Sequence, residues 1–138
     1  MTKRKGTHLA RMAIGELEFV MEVPAVFKDE KPSVDLDDLQ PFTQAIVRWL
    51  AAHGARSPES FKFLRAQSGL SSRALADLFA VEPETISRWA SGQNRLNPVV
   101  WDALAQIAVE RIEGRTDTFE RLRDQREFDA QTVELKAS

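Results

Sequence analysis

The chain has 138 residues, enough for one domain or one domain with a small appendage. Its net charge of -2 argues against a sequence-blind nucleic-acid coat, and no run of it approaches the roughly 20 apolar residues that span a bilayer. Cysteine is absent, which excludes disulfides, thiol catalysis and cysteine-ligated zinc and suits a cytoplasmic protein.

Charge is unevenly spread along the chain. Lys3, Arg4, Lys5 and Arg11 make residues 1–11 a basic arm, without the long apolar stretch of a secretory signal. Such an arm is a solvated tail or a supplementary phosphate or minor-groove contact. Residues 12–55 and 96–138 are net acidic, and residues 56–95 are net basic.

Residues 16–27 alternate. Leu17, Phe19, Met21 and Val23 fall on one face and Glu16, Glu18 and Glu22 on the other, which predicts a half-buried strand. Pro24 marks an edge or an end. Residues 28–33 are turn-rich, and residues 34–36 suit a short return strand, so residues 12–36 are expected to form a small β-hairpin unit.

The period then changes. Leu39, Phe42, Ile46, Trp49, Leu50 and His53 share a helical stripe, predicting a linker helix over 37–54. Asp37 or Asp38 caps its start, Pro41 is tolerated in its first turn, and Gly54 ends it. His53 sits where a cation is favoured by the helix dipole.

Four short helices follow, each with its own punctuation. Ser57 and Pro58 start the first and Gly69 stops it; Ser71 caps the second. Glu82 and Pro83 restart the chain into the third, with Glu82 as N-cap, and Gly92 stops it. Asn97 and Pro98 begin the fourth, in which Trp101, Leu104, Ala108 and Ile112 share a face and Gly114 marks the end. Residues 115–138 are charge-rich with sparse apolar points at Phe119, Leu122, Phe128, Val133 and Leu135, and read as a loosely helical arm or a tail that orders on a partner.

The central block carries the functional signal. Leu64, Leu70, Leu75, Ala76, Phe79, Val81, Ile86 and Trp89 are spaced to form one small core. A helix-turn-helix needs this set: a small residue (Ala76) where two helices cross, an apolar plug (Val81) in the turn, and anchors (Ile86, Trp89) behind the second helix. Residues 61–112 resemble the Cro/C1-type (Xre family) helix-turn-helix domain, on Leu64, Arg65, Gly69-Leu70-Ser71, Leu75-Ala76, Val81, Thr85-Ile86-Ser87-Arg88-Trp89 and Gly92. Two positions depart from that pattern. Ala80 stands where the turn often has glycine. Ala90 stands where a glutamate often pairs with the arginine matched by Arg65, which leaves Arg65 for a phosphate or another carboxylate.

The wider order, hairpin then linker helix then helix-turn-helix, is similar to that of the MqsA-type antitoxins of toxin–antitoxin operons. Those proteins carry a cysteine-ligated zinc ribbon in front; here there is no cysteine, and zinc is not carried over.

The resemblance implies which residues meet DNA. The second helix would present Pro83, Glu84, Thr85, Ser87 and Arg88 to base edges. Arg88 suits guanine O6 and N7, and Glu84 either accepts from a cytosine amino group or is exposed surface. Ser71, Ser72 and Arg73 at the first helix's start, and Gln93, Asn94 and Arg95 after the second, would meet phosphate. Trp49, Trp89 and Trp101 are expected in the core. Leu78 lies outside the usual core frame and would pack on the N-terminal unit or a dimer mate. No nucleophile–histidine–carboxylate set, phosphate-cradling glycine loop or metal quartet is present in the sequence, and no cofactor is expected.

The expectation is a mainly α protein: a five-helix Cro/C1-like domain over 55–114, preceded by a hairpin unit and a linker helix and followed by a charged arm. It would be a cytoplasmic repressor, not an enzyme, dimeric on a palindromic operator in double-stranded DNA. It would also serve as the antitoxin of an autoregulated operon, binding a cognate toxin. A stand-alone Xre-type factor and a protein-interaction adaptor that no longer meets DNA are the alternatives.

Overall fold

The computed structural model describes residues 2–127 and 134–137, so Phe128 and Val133 of the expected arm lie outside the described residues. It combines a three-stranded antiparallel sheet, in the order β1-β2-β3, with six helices. The sheet is larger at its N-terminal end than expected. The basic arm is not a tail: it forms β1 (Lys3–Ile14), paired along its whole length with β2 (Leu17–Lys28). The expected return strand is β3, of the same three-residue length but earlier at Lys31–Ser33, and Leu36 already belongs to a helix.

The alternation read in β2 is present except at Met21, which is expected on the inner face and is 36% exposed. Leu17, Phe19, Val23, Ala25 and Phe27 are buried or half-buried, while Glu18, Glu22 and Val26 face out. Across the ladder, Ala10, Met12 and Ile14 stand opposite Met21, Phe19 and Leu17, and Ala10 and Ile14 join the main core. Gly15 has φ of 62°, which suits the tight turn between β1 and β2. Asp29 and Glu30 both have positive φ, 52° and 64°, the backbone that a two-residue turn joining twisted strands requires.

Helix α1 (Leu36–His53) buries Phe42, Ile46, Val47 and Leu50. Its N-cap is Asp35, not Asp37 or Asp38, and that side chain makes no capping bond. Gly54 closes it in the left-handed region, donating its N–H to Leu50. Trp49 is not core. It is 37% exposed, stacked on His53 at 4.1 Å and met edge-on by Phe19 at 5.3 Å. Its position at the margin of the apolar stripe puts it over the seam between α1 and the ribbon. His53 Nδ1 lies 2.9 Å from the Trp49 carbonyl, as expected of a side chain serving the helix end.

Residues 55–114, expected to hold five helices, hold four: α2 (Pro58–Ser68), α3 (Ser72–Phe79), α4 (Pro83–Ser91) and α5 (Pro98–Ile112). Their starts follow the sequence signals. Ser57, Ser71 and Asn97 accept from the backbone N–H of Ser60, Ala74 and Val99 at 3.1, 3.0 and 2.8 Å. Such caps each contribute about 1 kcal/mol. Phe61, Leu64, Leu75, Ile86, Trp101 and Leu104 are essentially inaccessible and form the centre of one core, which also takes in α1 and the inner face of the ribbon. No described helix is long and apolar enough to cross a membrane.

The charged arm begins with a docked helix, α6 (Asp117–Glu127). Glu110, buried on α5, reaches its first turn: the carboxylate accepts from Thr118 N–H at 3.0 Å and from Thr118 Oγ1 at 2.9 Å. A carboxylate at a helix N-terminus is also favoured by the helix dipole. Burial pushes the Glu110 pKa up, but the bonds from Thr118 and Gln106 and the nearby Arg115 outweigh it. The pKa is held below its ordinary 4.5. Leu78 is covered from this side, lining one cleft together with Phe119 of α6, and not by the N-terminal unit.

A folded-state pKa below the unfolded one stabilises the fold above the ordinary carboxylate range, and this contribution disappears as pH falls through the folded value. Glu110→Gln is therefore expected to destabilise the protein by about 1–3 kcal/mol at pH 7. In urea unfolding, the gap between wild type and variant should narrow as pH falls from neutral through and below the ordinary carboxylate range. A gap that stays constant with pH would show that the ionised carboxylate does not hold α6.

Candidate nucleic-acid interface

Helices α3 and α4 are joined by only Ala80, Val81 and Glu82. The inner face of α3 buries Leu75 and Ala76, and the small Ala76 lets α4 cross closely. Ala80 adopts φ 55° and ψ 44°, the left-handed conformation that glycine usually supplies. Val81 N–H then donates to the Ala76 carbonyl at 3.0 Å, and Ala80 N–H to Asp77 at 3.4 Å. This pair of bonds closes α3 and turns the chain, while Val81 packs half-buried against the core.

Glu82 occupies the N-cap position of α4, but its side chain makes no capping bond. The expected cap is thus wrong in its mechanism. A glutamate side chain is poorly suited to the short reach that Ser, Thr, Asp and Asn provide. The backbone alone starts the helix, with Thr85 N–H donating to the Glu82 carbonyl at 2.9 Å. Glu82 and Glu84 are exposed near the positive end of the α4 dipole, which favours negative charge there.

Ile86 and Trp89 fix the opposite face. They are 1% and 7% exposed, and the Trp89 ring meets Phe61 edge-on with centroids 6.1 Å apart. Pro83, Glu84, Ser87 and Arg88 are exposed, and Thr85 is half-buried. Glu84 and Arg88 are one turn apart, yet no ion pair within 4.0 Å joins them. Arg88 has no acidic partner among the described residues, so its guanidinium is available to an outside acceptor.

The residues expected at phosphate flank this face. Ser71, Ser72 and Arg73 are exposed at the start of α3. Ser71 Oγ accepts the Ala74 N–H, which leaves its proton for a second partner. Gln93, Asn94 and Arg95 are exposed after α4, where Gly92 turns the chain at φ 80°. A Cβ on Gly92 would approach Pro58 to 2.9 Å, so the chain passes close to the start of α2. Asn94 and Arg95 line a small cleft there with Arg56, a cation that the sequence reading passed over because it lies between helices.

Three other cations, Arg65, Arg4 and Arg11, have partners within the fold. Arg65 is half-buried, and its Nη1 donates to the Leu70 carbonyl at 3.0 Å. The N-terminal arm is held in β1, where Arg4 lies over the Phe27 ring at 4.2 Å and pairs with Glu30, and Arg11 pairs with Glu18. Among the described residues, no group of three His, Cys, Asp or Glu side chains could hold a metal ion.

Family models, curated proteins and solved structures give no match to this chain.

The left-handed Ala80 carries a backbone cost of about 1–2 kcal/mol that glycine avoids, partly offset by the entropy glycine loses on folding. Ala80→Gly is expected to raise stability by on the order of 0.5–1 kcal/mol, read as a higher urea midpoint at unchanged m. A lower midpoint would mean that the alanine methyl group contributes packing that outweighs the strain.

Proposed function

We propose that the chain is a sequence-specific DNA-binding transcriptional regulator in which α3 and α4 act as a helix-turn-helix of the Cro/C1 type. The observation that carries this reading is the two-sided character of α4. Ile86 and Trp89 lock its back to the core, while Glu84, Ser87 and Arg88, which has no acidic partner among the described residues, stand on an exposed front. In this reading Arg88 bonds a guanine in the major groove, Thr85, Ser87, Glu84 and Pro83 shape the contact, and Ser71, Ser72, Arg73, Gln93, Asn94 and Arg95 hold the backbone.

One such module buries too little surface for tight, selective binding, so the active form is a homodimer on a palindromic operator. Repression follows from occupying that site. The outward face of the ribbon, where Leu9, Val20 and Val26 are substantially exposed, favours a protein partner as well. This supports the antitoxin version, in which the chain binds a cognate toxin and represses its own operon.

Binding to the DNA upstream of the chain's own gene, measured at two salt concentrations, tests the reading. Arg88→Ala is expected to lose about 1–3 kcal/mol of discrimination, roughly 5- to 150-fold, between the operator and a scrambled duplex. An unchanged ratio would remove Arg88 from the recognition surface.

A further inference from the structure

We infer that α6 supplies a second contact to the DNA backbone, with Arg123 and Arg126 binding phosphate beside the front end of α4. This rests on the reading of α3 and α4 as a DNA-binding unit and extends it to a segment the sequence assigned to an acidic arm.

A cleft of about 650 Å³ lies between α6 and the α3–α4 connection. Leu78, Val81 and Pro83 line it on one side and Phe119, Arg123 and Arg126 on the other. Phe119, Arg123 and Arg126 are spaced i, i+4, i+7 and share one face of α6. Asp117, Glu120 and Asp124, spaced i, i+3, i+7, lie together with Arg121 around a different surface of the same helix. The helix is nearly balanced in charge, but its charges are sorted by face. Two of its three arginines line the cleft toward the α3–α4 connection, and three of its four acids, all but Glu127, do not.

Their position is fixed by the fold. Glu110 anchors the start of α6 through Thr118, and Phe119 and Leu122 are half-buried, so Arg123 and Arg126 ride on a docked helix. Both are exposed and lightly engaged. Arg123 lies 5.7 Å from the Phe119 ring centroid and contacts its neighbour Asp124 at 3.4 Å, an exposed pair of little energetic weight. Arg126 has no carboxylate within 4.0 Å among the described residues. The acids that share the cleft, Asp77, Glu82 and Glu127, do not pair with either arginine at that distance.

The chemistry points to phosphate. A polyanion approaching α4 meets Glu82 and Glu84 first, and two guanidinium groups on the adjoining helix offset that repulsion. Arginine's planar, permanently charged fork matches phosphate oxygens in pairs. Contacts of this kind carry no sequence information; they strengthen binding to every duplex and set its salt dependence.

The test is a salt titration by fluorescence anisotropy on the full chain, with an operator duplex and a scrambled duplex. Arg123→Gln/Arg126→Gln should weaken both by about tenfold or more at 0.1 M salt, reduce the log–log salt slope by about 2, and leave the operator preference intact. Arg121→Gln, a charge removal on the other surface of α6, should leave the slope unchanged, and unaltered urea unfolding would show that the double variant is folded. An unchanged affinity and slope in the double variant, with wild type binding normally, overturns the inference and leaves the cleft to the fold or to a protein partner. A lost preference at constant slope overturns it too, by making these arginines base readers. Wild type that binds neither duplex at low salt removes the underlying DNA reading, and the inference with it.

Discussion

The burial of Ile86 and Trp89 is the constraint on which the rest of the molecule turns. These two side chains set the rotation of α4 about its axis, because one face must be dry and packed against Phe61 and the core around it. Fully burying such side chains contributes roughly 1.5–3 kcal/mol each, far more than any single exposed ion pair on α4 could oppose. The exposure of Glu84, Ser87 and Arg88 is thus a consequence of packing and of helical spacing, and does not depend on any bond those residues make. The α3–α4 connection adds the second half of the constraint. The left-handed Ala80 and the bond from Val81 to Ala76 leave the chain a single short path from one helix to the next.

Where structure is fixed by local chemistry, the sequence was a good guide. The caps at Ser57, Ser71 and Asn97, the stops at Gly54, Gly69 and Gly92, and the core around Leu64, Leu75, Ile86, Trp89 and Trp101 follow from residue type and spacing. Where structure depends on a distant partner, the sequence was silent. Strand β1 carries Arg4, Gly6 and His8 on the same face as the buried Ala10, with Arg4 and His8 exposed; that set has no hydrophobic alternation, and only pairing with β2 defines it. Helix α6 has too few apolar residues to form alone and is held by a buried carboxylate on α5. Trp49 sits at the margin of a helical stripe, where periodicity cannot tell seam from core. Glu82 misled because its position matches a cap while its side chain does not act as one.

The electrostatics of α4 also become clearer. Two glutamates at its front are compatible with a DNA-facing helix, since the helix dipole favours them in the free protein and α6 brings arginines to the same end. The sorting of charge within α6 means that the net acidity of the chain is a poor measure of the field at any one surface.

The most direct test is a selection of bound sites from random duplex DNA using the full chain. A DNA-reading α4 in a symmetric dimer predicts an enriched palindrome whose half-sites are centred about 10–10.5 base pairs apart, or a multiple of that. Recovery of no common sequence after repeated rounds at moderate salt would contradict the claim that this surface reads DNA.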